Sequence, residues 1–420
     1  MNTPAPTSAR IDAVEDDGDA PQLSAEAFLL RLGRALHRRG VPAHRLEEHL
    51  EALCRRLGLT ASFFSTPTAL FAQFDRGSRP DVYLLRVTGA SSDLGKLTDL
   101  DQVSMQVSHG EITHDEGMAR IDRIEAAPPR YGPAITTACY AINSAAASVF
   151  FNGGWREVAT AGVLGLISGL LSLVGSRSGT GWRAFEPVAA FCAAVVSTLA
   201  ALRFGPVSVH VAVLAGLIAL LPGYTLVVAI AELANGHLAS GSARITAAFM
   251  VFLTLGFGVA LGNRCTELFF GVAPTVEPVA LPLWVQALAL GCASATFGVV
   301  FRARREDLPY ILIVSVLGFC GARVGSAFLG PELGVFLGAL VVTLCSNLYA
   351  RVLNRPTVVP LFPGIMLLVP GSIGFRSLSS LMAHDVVSGV QTAFTMVLVA
   401  VALVAGLLLA NAILPAKRAL

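Results

Sequence analysis

The sequence predicts a polytopic α-helical membrane protein with a small soluble α/β domain ahead of the membrane part. Three observations predict this fold class. Hydrophobic residues make up 54% of the 420 residues and charged residues only 14%. Residues 131–420 hold 15 of the 30 Lys and Arg and 9 of the 28 Asp and Glu, and they contain ten apolar segments. Two of those segments are broken by Pro-Gly at matching positions of an internal repeat.

The soluble part is predicted to span residues 24–130, after a disordered tail at residues 1–23. Apolar residues recur at helical spacing in four segments. These are 24–40, 42–58, 94–107 and 113–125. Aromatic and β-branched residues predict two paired strands at 60–74 and 81–87. Residues 1–130 carry 15 basic and 19 acidic side chains, so this part does not suit a nucleic-acid backbone.

Ten apolar segments follow, and each is long enough for a membrane-spanning helix. They lie at about 134–151, 157–175, 184–203, 207–234, 243–263, 282–301, 309–328, 333–350, 357–382 and 386–414. Five segments fall in each of two predicted domains, 131–265 and 280–414. Because five is an odd number, the second domain enters the bilayer with the opposite orientation. The sequence therefore predicts ten transmembrane helices arranged as a 5+5 inverted repeat.

A shift of 148 positions aligns the two copies without a gap. The matched pairs are Gly216/Gly364, Leu220/Leu368, Pro222/Pro370, Gly223/Gly371, Ser240/Ser388, Gly241/Gly389, Gly258/Gly406 and Asn263/Asn411. Segments 207–234 and 357–382 are too long for one straight span. Breaks at Pro222-Gly223 and Pro370-Gly371, with another at Pro363-Gly364, would shorten them. Freed helix ends at such breaks can bind the carboxylate and ammonium of a zwitterion, although the prolines can also simply kink the helices.

Polar residues near the two breaks form the rest of the predicted substrate site. Glu232 is expected to carry a proton or to pair with a substrate ammonium, because an ionisable group inside a span is costly. The alternative is a helix-end carboxylate paired with Arg244. Arg376 is expected to clamp a substrate carboxylate, or as a loop residue to be merely solvated. Asp385 is a second proton-coupling candidate, and the supporting polar groups are Asn235, Ser240 and Arg244.

Other classes of mechanism are not indicated. The chain has no Gly-rich loop ending in Gly-Lys-Ser/Thr, no Gly-x-Ser-x-Gly, no His-Glu-x-x-His and no Cys-x-x-Cys. Its seven cysteines are scattered singly. We therefore expect no catalytic residues, cofactor, metal ion or nucleic-acid partner. Ten basic residues in the loops on one side against four on the other predict that both termini are cytoplasmic.

Three stretches resemble the threonine/serine exporter family of bacterial and fungal membrane proteins. They are SHGEITHDEGMARIDRI at 108–124, LLPGYTLVVAIAELANGHLASGSARITAA at 220–248 and PLFPGIMLLVPGS at 360–372. The resemblance covers about 25–414. It implies ten spans, a cytoplasmic N-terminal domain and export of small hydroxylated amino acids by the proton-motive force.

The resemblance leaves the substrate open, because some related two-chain systems are implicated in the export of dicarboxylates such as succinate. On this basis we expect an antiporter in the cytoplasmic (inner) membrane. Its expected partners are an amino-acid substrate, protons and the lipid bilayer. A homo-oligomer stays open. A competing class is a membrane-anchored hydrolase or signalling protein that acts through residues 24–130.

Overall fold

The computed structural model describes residues 20–76, 79–88, 92–177, 184–272, 274 and 276–416. Over this part of the chain it is mostly helical, with one small antiparallel sheet in the order β1-β2-β3. Most of the predicted N-terminal tail lies outside the described residues, and the first helix already begins at Ala20.

The soluble domain combines four helices with the three-stranded sheet. Its elements are α1 (Ala20–Arg38), α2 (Ala43–Arg56), β1 (Ala61–Thr66), β2 (Ala69–Arg76), β3 (Arg79–Arg86), α3 (Leu94–Ser108) and α4 (His114–Ala126). The four predicted helices are confirmed. The prediction of one strand over 60–74 is wrong, because the chain turns at Pro67 and Thr68 and forms two strands there. Proline cannot donate to a strand ladder, which favours a turn at that point.

The core of the soluble domain is a single apolar cluster between the helices and the sheet. Fully buried side chains include Phe28, Leu32, Leu46, Leu50, Leu70 and Leu100. They come from one face of α1, α2 and α3 and from the inner face of β2, as the helical and alternating periodicities require. The domain is therefore a folded unit with its own core.

The remaining helices form the membrane part. They are α5 (Pro133–Phe150), α6 (Trp155–Arg177), α7 (Phe185–Phe204), α8 (Val209–Gly216), α9 (Gly223–Ala234), α10 (Leu238–Phe270), α11 (Leu283–Val300), α12 (Leu308–Leu329), α13 (Pro331–Leu353), α14 (Val358–Met366), α15 (Gly371–Met382) and α16 (Val386–Ile413). Eight helical stretches of the described chain are long and apolar enough to cross a membrane, and α8 with α9 is a ninth candidate bent by 47°. The first predicted span, α5, is not among them, because Pro, Thr, Ser, Tyr and Asn residues lower its mean hydropathy.

Both principal breaks occur where the sequence predicts them. Pro222 and Pro370 are the N-cap residues of α9 and α15, each a helix of 12 residues, and their φ angles are −81° and −82°. The further break predicted at Pro363 is wrong, since this proline continues α14. Its fixed φ is compatible with a helix, and its missing N–H costs α14 one hydrogen bond, to the Val359 carbonyl, without ending the helix.

The turn that follows each broken span also recurs at the 148-residue spacing. Gly236 and His384 both have positive φ, 84° and 64°. The next residue donates its backbone N–H five residues back in both copies: His237 to the Glu232 carbonyl at 2.9 Å and Asp385 to the Ser380 carbonyl at 3.0 Å. The matched sequence positions thus share a helix-ending backbone conformation.

One end of the membrane part packs against the soluble domain, and we call it the domain face and the other end the far face. The backbone N–H groups of Leu94 and Gly95, at the start of α3, donate to the carbonyls of Phe301 and Arg302 at 2.9 and 3.1 Å. Arg304 forms an ion pair with Asp99 at the same contact. The end of α11 and the start of α12 therefore lie at the domain face.

The half-helices α9 and α15 run from their breaks to opposite faces. α9 ends at the domain face, where Glu232 contacts α2. α15 ends beside Gly256, since a Cβ built there would lie 3.0 Å from the Met382 sulfur. Gly256 is 18 residues along α10 from Leu238, which at 1.5 Å per residue is about 27 Å from the domain face.

Candidate functional site

The N-termini of α9 and α15 meet at the two Pro-Gly breaks. A Cβ built on Gly223 would lie 2.9 Å from the backbone nitrogen of Gly371, and one built on Gly371 would lie 3.1 Å from the nitrogen and Cα of Gly223. This backbone contact leaves no room for a side chain at either position. Pro222, Gly223, Pro370 and Gly371, all predicted substrate residues, are buried together here. Both helix dipoles direct their positive ends at this crossing.

Glu232 joins the membrane part to the soluble domain. Its side chain is fully buried, and Oε1 accepts a hydrogen bond from the backbone N–H of Ala43 at 2.9 Å. The Nε–H of Arg244 donates to both carboxylate oxygens, at 2.9 and 3.1 Å. Ala43 is the first residue of α2, whose N-cap Pro42 provides no side-chain cap. The Glu232 carboxylate therefore caps α2, and the pairing with Arg244 considered from the sequence is present.

Two further predicted site residues, Ser240 and Asn235, lie at the same end of α9. The Ser240 hydroxyl donates to the carbonyl of Ser65, on β1, at 2.6 Å. Asn235 donates to the Ala231 carbonyl at 2.7 Å, and the ring Nδ1 of His237 lies 3.5 Å from a Glu47 carboxylate oxygen. Ser240 and His237 thus contact the soluble domain, as Glu232 does. Sequence reasoning missed this contact because the partners are up to 189 residues apart.

Arg376 and Asp385 lie away from this cluster. The expectation that Arg376 is a loop residue is wrong: it lies within α15, five residues after the break, because the helix continues without interruption to Met382. Its guanidinium carbon is 5.3 Å from the centre of the Phe151 ring. Asp385 is the exposed N-cap of α16, and hydrogen bonds from the Ser388 side chain and from its backbone N–H lower the pKa of the Asp385 carboxyl. The two proposed proton-coupling residues are therefore at opposite faces.

A cavity of about 470 Å³ lies at the domain face between α2, α9, α14 and α16. We call it the domain-side cavity. Its polar lining residues are His44, Arg45, Glu48, Tyr224, Asn235 and Asn411. Its apolar walls include Val227, Leu361, Ile365 and Val404. Apolar walls with a few convergent polar groups are typical of a small-molecule site. Of the residues predicted to bind substrate, only Asn235 lines it.

The charges in the domain-side cavity come from the soluble domain. Arg45 and Glu48 are one helical turn apart on α2, so both heads reach the same space. Burial lowers the pKa of Arg45, while the Glu48 charge opposes that shift, and a guanidinium keeps its proton throughout the cellular pH range. Burial, with Arg45 nearby, lowers the pKa of His44 to about 3, so its imidazole is neutral. Among the described residues, the cavity thus offers one cation, one anion, two amides and a phenol.

Two buried acids that the sequence reasoning missed hold the loops before the broken spans. A Glu157 oxygen accepts the backbone N–H of Ser208 at 2.7 Å, just before α8. Asp307 accepts from the Tyr349 hydroxyl at 2.8 Å and pairs with Arg355, just before α14. Both acids are at least 95% buried. They are 150 positions apart, so a repeat alignment that allows a two-residue offset would have paired them.

Metal binding has no candidate within the described ranges, where no group of three or more His, Cys, Asp or Glu side chains is placed to hold an ion. Buried histidines of the soluble domain have structural partners instead. His37 contacts the Thr66 carbonyl at 2.7 Å, and His49 contacts the Ser104 hydroxyl at 3.0 Å.

The chain is similar to fungal proteins described as pheromone-regulated membrane protein 10. The relative from Saccharomyces cerevisiae is 30% identical over 387 residues, which cover 89% of this chain and 49% of the relative. The relative from Debaryomyces hansenii is 28% identical over 372 residues, which cover 84% of this chain and 36% of the relative. The relative from Candida albicans is 27% identical over 392 residues, which cover 88% of this chain and 34% of the relative. The chain thus spans about a third to a half of the length of these curated relatives. No solved structure matches it.

Two family models match the chain in succession. One, described as a threonine/serine exporter, matches residues 27–265, which include most of the soluble domain and α5 to most of α10. The other, described as threonine/serine exporter ThrE, matches residues 286–413, from α11 to the end of α16. The boundary between the models falls between the two predicted halves of the repeat. The chain therefore belongs to the threonine/serine exporter family of multi-pass membrane proteins.

Proposed function

We propose that the protein is a secondary transporter that exports small hydroxylated amino acids, threonine and serine, by alternating access. The observation that carries this proposal is the domain-side cavity, where Arg45 and Glu48 lie one turn apart beside the amides of Asn235 and Asn411. An amino acid in its zwitterionic form has one carboxylate for the guanidinium and one ammonium for the Glu48 carboxylate. The amides and the Tyr224 hydroxyl can hydrogen-bond its side-chain hydroxyl.

The charge pattern favours an amino acid over a dicarboxylate. Succinate would satisfy Arg45 with one carboxylate, but its other carboxylate would meet the like charge of Glu48 at short range. Like charges at short range repel each other, so this arrangement disfavours a dicarboxylate relative to a zwitterion. A volume of about 470 Å³ also exceeds what threonine needs, which leaves room for water around a small substrate.

The direction of transport follows from a proposed topology. α5 completes ten spans, and the matched breaks and turns support a 5+5 inverted repeat with the domain face in the cytoplasm, where the basic residues are in excess. Substrate then enters the domain-side cavity from the cytoplasm. The alternating motion would tilt one half against the other around the contact of Gly223 with Gly371.

Coupling to protons is proposed at Glu232. A proton on this carboxylate would remove the ion pair with Arg244 and weaken the bond from the Ala43 N–H. Because Ala43 and Arg45 lie in the same first turn of α2, loosening one also displaces the other. Protonation of Glu232 is thereby linked to the shape of the substrate cavity. Asp385, exposed at the far face, is the proposed point where protons are taken up.

Efflux from proteoliposomes tests the proposal. Vesicles that contain the purified chain are loaded with labelled threonine or labelled succinate, and release is followed under an inward proton gradient. We expect threonine release by the wild type and a loss of about tenfold or more in Arg45→Gln, because a charge-assisted contact is removed. Arg55→Gln is the matched control, since Arg55 lies on the same helix with its side chain 71% exposed.

Each other outcome selects a different function. Release of succinate without threonine would make the protein a dicarboxylate exporter. Full threonine release by Arg45→Gln would remove the domain-side cavity from the transport path. Absence of any proton-dependent release would contradict the transport proposal and favour the competing class, in which the soluble domain acts as a hydrolase or signalling module.

A further inference from the structure

We propose that an apolar groove at the far face binds one anionic phospholipid, whose phosphate contacts Arg156 and Arg203 and whose acyl chain lies along the groove. The groove has a volume of about 740 Å³ and lies between the start of α6, the end of α7 and the last residue of α10. It shares no lining residue with the domain-side cavity. Binding of a lipid there therefore does not depend on which substrate the protein transports.

The groove lies at the far-face end of the membrane part. Phe270, which forms part of its wall, is the last residue of α10. It follows Leu238 by 32 residues, or about 48 Å of helix, so it is far from the domain face. Gly258 of α10 lies against the third residue of α7, and Gly262 lies against the tenth. The two helices thus run in the same direction, and α7 also ends at the far face, at Phe204.

Exposed aromatic side chains surround the charged end of the groove. Trp155, the first residue of α6, is 60% exposed, and Phe204 and Phe270 are 75% and 60% exposed. Tryptophan is enriched where a membrane protein crosses the boundary between hydrocarbon and water. Arg156 follows Trp155 in the chain, and Arg203 precedes Phe204. Both guanidinium groups therefore lie at the depth of the lipid phosphates.

Neither arginine has a carboxylate within ion-pair distance among the described residues. Arg156 donates to the Pro206 carbonyl at 3.4 Å, and the guanidinium carbon of Arg203 is 5.9 Å from the centre of the Phe204 ring. The neighbouring acid, Glu157, accepts two backbone N–H groups instead. Two guanidinium groups without carboxylate partners at one end of a groove complement the negative charge of a phosphate diester.

The turn after α7 leaves room for the guanidinium of Arg156. Gly205 ends this helix with a φ of 96°, a conformation that favours glycine. A Cβ built on Gly205 would lie 3.0 Å from Nη1 of Arg156. The guanidinium thus lies directly over the backbone of this turn, two residues after Arg203, and both arginines line the groove.

Two helix faces continue the groove from the arginines toward the middle of the bilayer. They carry Arg156, Ala159 and Val163 on α6 and Val196, Ala200 and Arg203 on α7, all at helical spacing. Thr160 also lines the groove, but its hydroxyl donates to the Arg156 carbonyl at 2.8 Å, so it adds no free donor to the wall. Seven residues separate Arg156 from Val163, which is about 10 Å of helix. Such a wall suits the acyl chain that continues from a lipid phosphate.

The test measures lipid binding to the purified chain in detergent by native mass spectrometry. The probes are dioleoyl phosphatidylglycerol and dioleoyl phosphatidylcholine, which have the same acyl chains. Both carry a phosphate, but the choline ammonium cancels its charge. We expect the wild type to bind phosphatidylglycerol about tenfold or more tightly than phosphatidylcholine. Arg156→Gln and Arg203→Gln should each weaken binding of phosphatidylglycerol about fivefold, and the double variant should bind both lipids equally.

The matched control for charge is Arg264→Gln. Arg264 is an arginine of α10 with a side chain 66% exposed, it pairs with Glu267 at 2.7 Å, and it does not line the groove. This variant should leave the affinities for both lipids unchanged. A loss of phosphatidylglycerol binding in Arg264→Gln as large as in Arg156→Gln would show a general effect of surface charge and would overturn the site.

Ala200→Trp tests the acyl-chain part of the groove with both arginines intact. The added ring fills the space between α6 and α7, so binding of both lipids should fall by a similar factor. Leu288→Trp is its control, because Leu288 is 60% exposed on α11, away from the groove, and this change should have no effect. If the double glutamine variant does not fold, the single variants and Ala200→Trp still test the proposal.

Three results would overturn the lipid site. One is equal affinity of the wild type for the two lipids, or an unchanged preference in the double glutamine variant. Another is displacement of phosphatidylglycerol by inorganic phosphate at the same concentration, which would make this a site for free phosphate. The third is dimerisation of the purified chain that Ala200→Trp abolishes, which would assign the groove to a second copy of the chain.

Discussion

The carboxylate of Glu232, on a broken membrane helix, accepts the backbone N–H of Ala43, at the start of a helix in the soluble domain, over 2.9 Å. The two residues are 189 positions apart. An uncapped helix start carries unpaired N–H groups, and a buried carboxylate needs donors, so each satisfies the other. The soluble domain is thus attached to the half-helix that also forms one wall of the domain-side cavity.

Glu232→Gln should loosen this attachment. The amide keeps the side-chain volume and one acceptor oxygen for Ala43, but it leaves Arg244 without its anion. Because the Arg244 side chain is 21% exposed, we expect a loss of about 1–3 kcal/mol in the free energy of unfolding, together with loss of proton-dependent efflux. Thermal unfolding and vesicle efflux measure the two effects. Asp122→Asn, which breaks an exposed pair with Arg31, is the control and should change neither. Unchanged proton dependence in Glu232→Gln would remove this residue from coupling.

Ser240→Ala should weaken the contact between the start of α10 and β1, the edge strand of the soluble domain. Removal of the hydroxyl leaves the Ser65 carbonyl without this donor at a buried contact, which costs about 1–2 kcal/mol. Limited proteolysis between α4 and α5 should then become faster. Ser388→Ala is a matched control because Ser388 is the repeat counterpart with an exposed side chain. Equal proteolysis rates for both variants would contradict the assigned contact.

Gly223→Ala and Gly371→Ala should each disrupt the crossing of the two broken helices. The added methyl would lie about 3 Å from the backbone of the partner helix, which cannot move aside as a flexible side chain would. We expect a loss of about 1–3 kcal/mol in stability and little remaining transport. Gly291→Ala on α11 is the control, because a Cβ there meets nothing within 4 Å. That change should be neutral or stabilise the helix by up to about 1 kcal/mol. Normal transport by Gly223→Ala would show that the crossing tolerates a side chain.

Acid should destabilise the soluble domain through His44. Burial lowers its pKa in the folded state to about 3, whereas the unfolded chain has an ordinary value near 6.5. Between these two values the unfolded state binds more protons, so stability falls as the pH falls from about 6.5 toward 3. His44→Asn should flatten this dependence in unfolding curves recorded from pH 7 to pH 4. His109→Asn, at a side chain 54% exposed, should leave the curve unchanged. A wild-type curve without slope in this range would contradict the burial of a neutral His44.

Local sequence patterns predicted the elements whose causes are local. Proline followed by glycine predicted the breaks at Pro222 and Pro370, because the missing donor and the flexible backbone act at the residues themselves. The helix predicted at 113–125 likewise begins at its N-cap Thr113, whose hydroxyl accepts the Glu116 N–H at 3.2 Å. The position of Glu232 within an apolar segment predicted an ionisable group in an unusual environment, and its side chain is fully buried.

The contacts of the other site residues depend on packing between segments that are far apart in the sequence. Glu232 and Ser240 bind backbone groups of the soluble domain that are 189 and 175 residues away, and no spacing rule could reveal partners so distant in sequence. Arg45 was overlooked because it looks like any exposed arginine on an amphipathic helix until α2 is docked on α9. The loop assignment of Arg376 was wrong because it followed the charge of the side chain, although the ninth apolar segment, 357–382, already included this position and ends where α15 ends.

In the proposed alternating motion, the crossing of Gly223 and Gly371 is the point about which the two halves pivot. Helices that interdigitate through side chains can rock only when several rotamers change together, and each change adds to the barrier. Two bare backbones in contact have no rotamers to change, so one helix can tilt on the other over a smooth surface. The hinge that the proposed transport cycle needs can then consist of two residues, while the packed helices around them move as rigid bodies.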